Sequence, residues 1–132
     1  MCNVPLGMTN GEIQDSQITA SSEDAHGDHD HGPNRARLDL QSVGNRKGAW
    51  SAGSNDVKQW IQVDLGAITS VSGIVIQGRS HKDQWVTAYK VQYGNDTTGL
   101  QYIKDIGNNE MVRNFLESLT GGFSFFPQRY NR

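Results

Sequence analysis

Side chains able to coordinate, ion-pair or hydrogen-bond a ligand crowd into three short polar stretches. The first, residues 23–34, carries His26, Asp28, His29, Asp30 and His31. Neutral imidazoles and carboxylates this close together could hold a transition metal, with His29 and His31 as ligands. Zinc or calcium is the ion class such a loop would take, and no other cofactor is implied. The spacing His-x-x-His-x-His has no regular element to fix it, so the stretch reads more simply as a solvated polar loop. The second stretch, residues 48–56, offers Ser51, Asn55 and Asp56; the third, residues 79–84, offers Arg79, Ser80, His81, Lys82 and Asp83. Hydroxyl, amide and carboxylate groups set opposite cationic donors suit a hydroxyl-rich glycan or a charged peptide end. The plainer alternative is that they are ordinary exposed loop residues.

Catalysis finds no foothold. The sequence has no serine nucleophile elbow, no phosphate loop and no carboxylate pair on a recognisable scaffold, so the expectation is a protein that is not an enzyme. A formal net charge of -2 with no basic stripe argues against nucleic acid as a partner. No apolar run approaches the roughly 18 residues of a membrane span, and Met1-Cys2-Asn3-Val4-Pro5 does not read as a signal peptide. Cys2 is the only cysteine.

The elements that must position these loops read as short strands. With 132 residues the chain is long enough for one domain, and its 15 glycines and many Ser, Asn, Asp and Thr residues favour strands joined by tight turns. Residues 60–65 alternate, placing Ile61, Val63 and Leu65 on one face. Residues 87–93 alternate again, with Tyr89, Val91 and Tyr93 together. Residues 71–77 are β-branched and apolar on both faces, which predicts a central strand. Residues 94–99 form a turn and 100–106 return as the hairpin partner. Residues 18–22 suggest a short edge strand, and in 35–40 Ala36, Leu38 and Leu40 alternate with outward arginines.

The tail changes character near residue 108. Val112, Phe115, Leu116 and Leu119 fall at i, i+3, i+4 and i+7, one apolar face of a helix over about 110–120, with Asn109 as its cap and Gly121-Gly122 as its stop. The domain reading is therefore a β unit over 1–107 and a tail of different character over 108–132.

Several stretches in order carry a family likeness: Cys2 with residues 5–8, residues 13–22, Gly48-Ala49-Trp50-Ser51, residues 59–66, residues 71–79 and residues 83–93. Over residues 2–107 the chain resembles the discoidin domain, also known as the coagulation factor 5/8 type C domain. The resemblance implies an all-β antiparallel jelly-roll sandwich or barrel of the galactose-binding-like kind, incomplete here, with ligands met by loops at one end, and it is the resemblance that places residues 23–34, 48–56 and 79–84 in those loops. It also implies a closing cysteine that pairs with the first, which leaves Cys2 without a partner in this chain, and closing strands that are missing or replaced by the helix. Trp50, Trp60, Asp64, Trp85 and Tyr89 lie in motifs that read as structural; Trp85 and Tyr89 could also stack on a ligand, but the alternation of Tyr89 with Val91 and Tyr93 favours core packing.

The function so implied is a non-catalytic extracellular or cell-surface adhesion module that binds a glycan or protein through its end loops. Two alternatives stand beside it: a carbohydrate-targeting module of a larger enzyme, and a domain that binds anionic membrane phospholipid. The acidic, histidine-rich first loop departs from the apolar, basic tips that lipid insertion requires. Secretion follows from the resemblance alone, and oligomeric state is not legible.

Overall fold

The computed structural model describes residues 4–71, 73–114 and 124–131. Among them, six strands form one antiparallel sheet: β1 (Ile18–Ala20), β2 (Ile61–Val63), β3 (Trp85–Tyr93), β4 (Gln101–Tyr102), β5 (Val112–Asn114) and β6 (Ser124–Asn131). The order is β1-β2-β6-β3-β4, with β5 beside β4 on the same edge of β3. The edge position expected for residues 18–22 is where β1 lies.

The alternation of β2 is realised. Ile61 joins Ile13 and Ile18 in one buried cluster, with Met8, Ala36, Trp50, Val63 and Leu65 packed around it. Tyr89 and Val91, 2% and 1% exposed, form a second cluster with Ile74, Ile76, Val86 and Ile103. Residues 71–77 differ from expectation. The described residues 71 and 73–77 join the sheet in no strand; Ile74 and Ile76 pack on the cluster of β3, and Val75 is 73% exposed. One side of the segment thus meets water, so its β-branched composition reports local stiffness and not two-sided burial.

The tail holds a second difference. Where it is described, the helix expected over 110–120 is absent: Val112–Asn114 is strand β5, paired with Ala88, Tyr89 and Lys90. Residues 115–120 lie outside the described residues, as does Cys2. A lone helix of about three turns is marginal in water, whereas β5 gains a hydrogen-bonded ladder along an open edge of β3. Beyond it, β6 pairs with Ile61 and Gln62 of β2 on one side and with β3 from Trp85 to Gln92 on the other. Pro127 sits where register shifts interrupt that ladder, as a residue without an N–H requires.

The two arginines of 35–40 do not point outward. Arg35 is buried at the end of a 3-10 turn over Pro33–Arg35 and donates to the carbonyls of Lys47 and Gln41. Arg37 donates to the carbonyls of Met8 at 2.7 Å and Ile13 at 2.9 Å, and to Asp15 Oδ1 at 2.6 Å. Both guanidiniums satisfy irregular backbone that has no sheet to pair with. They tie the N-terminal segment and the first loop to the body of the domain.

Candidate functional site: a polar cleft between the end loops

The three polar stretches meet at the end of the sheet where β3 begins. Backbone bonds zip the first to the second: Asp24 N donates to Ser51 O at 2.8 Å and Ser51 N to His31 O at 3.2 Å. The third is closed by Arg79 N donating to Gln84 O at 2.9 Å, with His81 in the left-handed region at φ 60°. Gly48 makes the junction tight. A Cβ there would lie 2.4 Å from Leu40 O and 2.8 Å from Ser80 Oγ.

Between the loops lies an open cleft of about 300 Å³. Asp24 and His26 come from the first loop, Ser51, Ser54 and Asn55 from the second, and Arg79 and Gln84 from the third. Trp50 and Trp85 supply aromatic walls. Trp50 also packs on the core and donates its indole N–H to Ser22 O at 3.0 Å, so it is fixed as a wall. Trp85 keeps 37% of its surface exposed. Gln77 lines the cleft too and is held by Asp39, whose N–H donates to Gln77 Oε1 at 2.7 Å. Arg79 Nη1 donates to Gln84 Oε1 at 2.8 Å, which orients the guanidinium.

Of the residues singled out from sequence, His26, Ser51, Asn55 and Arg79 line this cleft. Asp28 and His29 are exposed on the first loop, and His81, Lys82 and Asp83 on the third. Asp30 binds the neighbouring turn, its N–H donating to Asn45 O and its carbonyl accepting from Lys47 N, both at 2.9 Å. Asp56 accepts from Lys58 N at 2.8 Å and Gln59 Nε2 at 2.9 Å, which holds its carboxyl below the ordinary range and makes it a turn residue. Asp64 likewise accepts from Gly66 N at 2.8 Å where β2 ends.

His31 is 5% exposed. Burial first, and then the positive Arg79 nearby, push its imidazole below its usual pKa, while Asp24 opposes them. The His29 and His31 rings stand edge to face with centroids 6.4 Å apart. No group of three or more His, Cys, Asp or Glu converges among the described residues, so the expected metal pair has no third ligand there. At the same junction, His31 Nδ1, Arg79 Nε and Ser80 Oγ are buried without a hydrogen-bond partner among the described residues. Asp24 accepts from His26, and that bond holds its carboxyl below the ordinary range.

Sequence reasoning did not single out Asp24, Ser54, Gln77 or Gln84, and it weighed ligand stacking for Trp85 but favoured core packing. A signal for Trp85 existed in its position directly after the third loop. It also missed a fourth loop. Val43 and Arg46 exchange backbone bonds at 2.8 and 3.1 Å around Gly44-Asn45, with Gly44 at φ 57°. The alternative of Gly or Asn at both turn positions marks such a tight hairpin. Val43, which flanks the turn opposite Arg46, is 72% exposed, and Lys47 follows next in the chain.

The sequence model of the F5/8 type C domain matches residues 17–123, reaching beyond the motifs that end at 107. "EGF-like repeat and discoidin I-like domain-containing protein 3" of Mus musculus is 48% identical over 102 residues, covering 72% of this chain and 20% of that protein. Retinoschisin of Mus musculus is 39% identical over 111 residues, 81% of this chain and 48% of that protein. The chain therefore spans less than half the length of these relatives. Discoidin II of Dictyostelium discoideum superimposes with a TM-score of 0.65 at 24% identity, over 87% of this chain and 50% of that one, and this likeness concerns the fold. Six sequence stretches in order, an all-β fold and a family match over most of the length agree: the chain belongs to the F5/8 type C, or discoidin, domain family.

Proposed function

We propose that this domain is a non-catalytic extracellular recognition module whose end-loop cleft holds a carbohydrate or polar peptide group of a cell-surface or matrix ligand. The observation that carries the reading is Trp85, an exposed indole placed beside Arg79, Asn55, Ser51 and Asp24 in one cleft. An aromatic face packs against the C–H side of a sugar ring while amides, hydroxyls and charges take its hydroxyl groups. A cleft of about 300 Å³ is at the small end for ligand sites, the size of one or two sugar rings. The name of one relative joins a discoidin I-like domain to EGF-like repeats, small disulfide-dense modules of secreted proteins, and this supports the extracellular setting.

The test is binding of the purified domain to arrayed glycans and immobilised matrix proteins, followed by titration of any hit. Saturable binding that Trp85→Ala weakens by roughly 30-fold at an unchanged melting temperature is the expected result. Binding that survives Trp85→Ala undiminished would remove the cleft from the account.

The hairpin at Val43 favours a second reading, docking to an anionic phospholipid surface. An exposed apolar side chain beside the hairpin turn, with Arg46 opposite and Lys47 next to it, suits a headgroup layer. Co-sedimentation with vesicles of mixed zwitterionic and anionic lipid, lost in Val43→Asp, distinguishes it from the cleft.

A further inference from the structure

The turn that joins β3 to β4 has no part in the cleft, yet it carries a motif of its own. Asn95-Asp96-Thr97 fits Asn-x-Ser/Thr with x other than proline, and no other asparagine in the chain has Ser or Thr two residues on. We propose that Asn95 is an N-linked glycosylation site. The proposal rests on the extracellular reading above, because only a chain that enters the secretory path meets the enzyme.

Three observations support it. Residues 93–99 are all exposed, so a branched glycan on the folded domain would displace no packed group. The Asp96 carboxylate, which would otherwise compete beside the acceptor amide, is folded forward onto Thr98 and Gly99. Its Oδ1 accepts from Thr98 N at 2.7 Å, Thr98 Oγ1 at 2.6 Å and Gly99 N at 3.1 Å. Neither the Asn95 carboxamide nor the Thr97 hydroxyl bonds to a described residue, so both remain available to the transferase.

The position also suits the cleft. β3 starts at Trp85, in the cleft wall, and ends at Tyr93, just before the turn. At ~3.3 Å per residue that separates the two by about 26 Å. A glycan on Asn95 would stand at the far end of the sheet and leave the end loops free.

The chemistry is a group transfer from a lipid-linked oligosaccharyl diphosphate. The Asn95 amide nitrogen bonds to the anomeric carbon, and the bond from that carbon to the diphosphate oxygen breaks. The lipid diphosphate leaves with the electron pair, and the amide gives up one proton to a base of the transferase. Thr97 supplies the hydroxyl that the transferase uses to hold the acceptor.

The full chain would be translated behind a cleavable leader in the presence of endoplasmic-reticulum microsomes, and separately secreted from cultured animal cells. A single glycoform is expected, removed by amidase treatment that leaves aspartate at position 95 in the peptide mass. Asn95→Gln and Thr97→Ala each abolish it, and Thr98→Ala retains it. An unmodified wild-type chain in the microsomes, or a glycoform that survives Thr97→Ala, would overturn the proposal. The microsomal arm reads modification whether or not a variant folds. Because the leader supplies entry, an unmodified Asn95 leaves the cleft reading standing, and a failed glycan array leaves Asn95 standing.

Discussion

Trp85 and His31 show how two side chains of one loop cluster serve opposite ends. Trp85 presents its exposed face to the cleft, so truncating it removes contact area for a ligand and little from the core. Removing a central aromatic anchor of this kind costs about 2 kcal/mol, roughly a 30-fold weakening of glycan affinity in a Trp85→Ala titration. His31 lies beneath the loops, where burial and the neighbouring Arg79 favour the neutral ring. Its folded pKa is below the ordinary value of 6.5, so the unfolded chain binds more protons just under that pH. Stability is therefore full above about pH 6.5 and falls as pH drops from there through the folded value. Melting temperatures between pH 8 and 5 should decline across that window, and His31→Gln should flatten the decline. Asp24, Asp56, Asp96 and Asp105 are all held below 3.8, so a second loss sets in as pH falls below about that value.

Elements in this domain are short, and side chains fix what ladders do not. Arg37 is the clearest case, since its guanidinium accounts for the carbonyls of Met8 and Ile13 together. Arg37→Ala would strand two acceptors and an aspartate, and a loss of about 1.5–3 kcal/mol is expected in denaturant unfolding. Arg37→Lys should recover only part of it, because an ammonium cannot reproduce the fork. β3 is the other organising element. Irregularity between Val86 and Ala88 breaks its period of two, which puts Val86 with Tyr89 and Val91 on the core side. Trp85 is thereby released from the inward face that strict alternation assigns to it.

At the scale of the molecule, β6 decides whether the parts cohere. It lies between β2 and β3 and so links the cluster around Ile61 to the cluster around Tyr89. A chain ending at Met111 would lose that link, along with β5. We expect the 132-residue chain to melt in one cooperative transition and the shortened chain to show none, with near-ultraviolet circular dichroism as the measure. A cooperative melt of the shortened chain would show that residues 4–111 fold without the central strand.

Much of this was legible in the residues themselves. The alternation of 61–65, the turn at 94–99 and the polar stretches are local patterns that form as their spacing dictates, while that of 87–93 holds for Tyr89 and Val91 but not for Tyr93, which is 43% exposed at the strand's end. The family likeness, carried by ordered motifs, was legible too. The composition of the cleft was not, because Asp24, Gln77, Gln84 and Trp85 meet only after strands far apart in sequence pair. Nor was the fate of the tail, where an apolar pattern compatible with a helix gives way at Val112–Asn114 to pairing with a distant edge of β3. Periodicity fixes which residues of a segment face together, but which neighbour that face or edge meets is a property of the assembled sheet. Here the sheet, by one bulge and one inserted strand, decided where the tryptophan points and what the tail becomes.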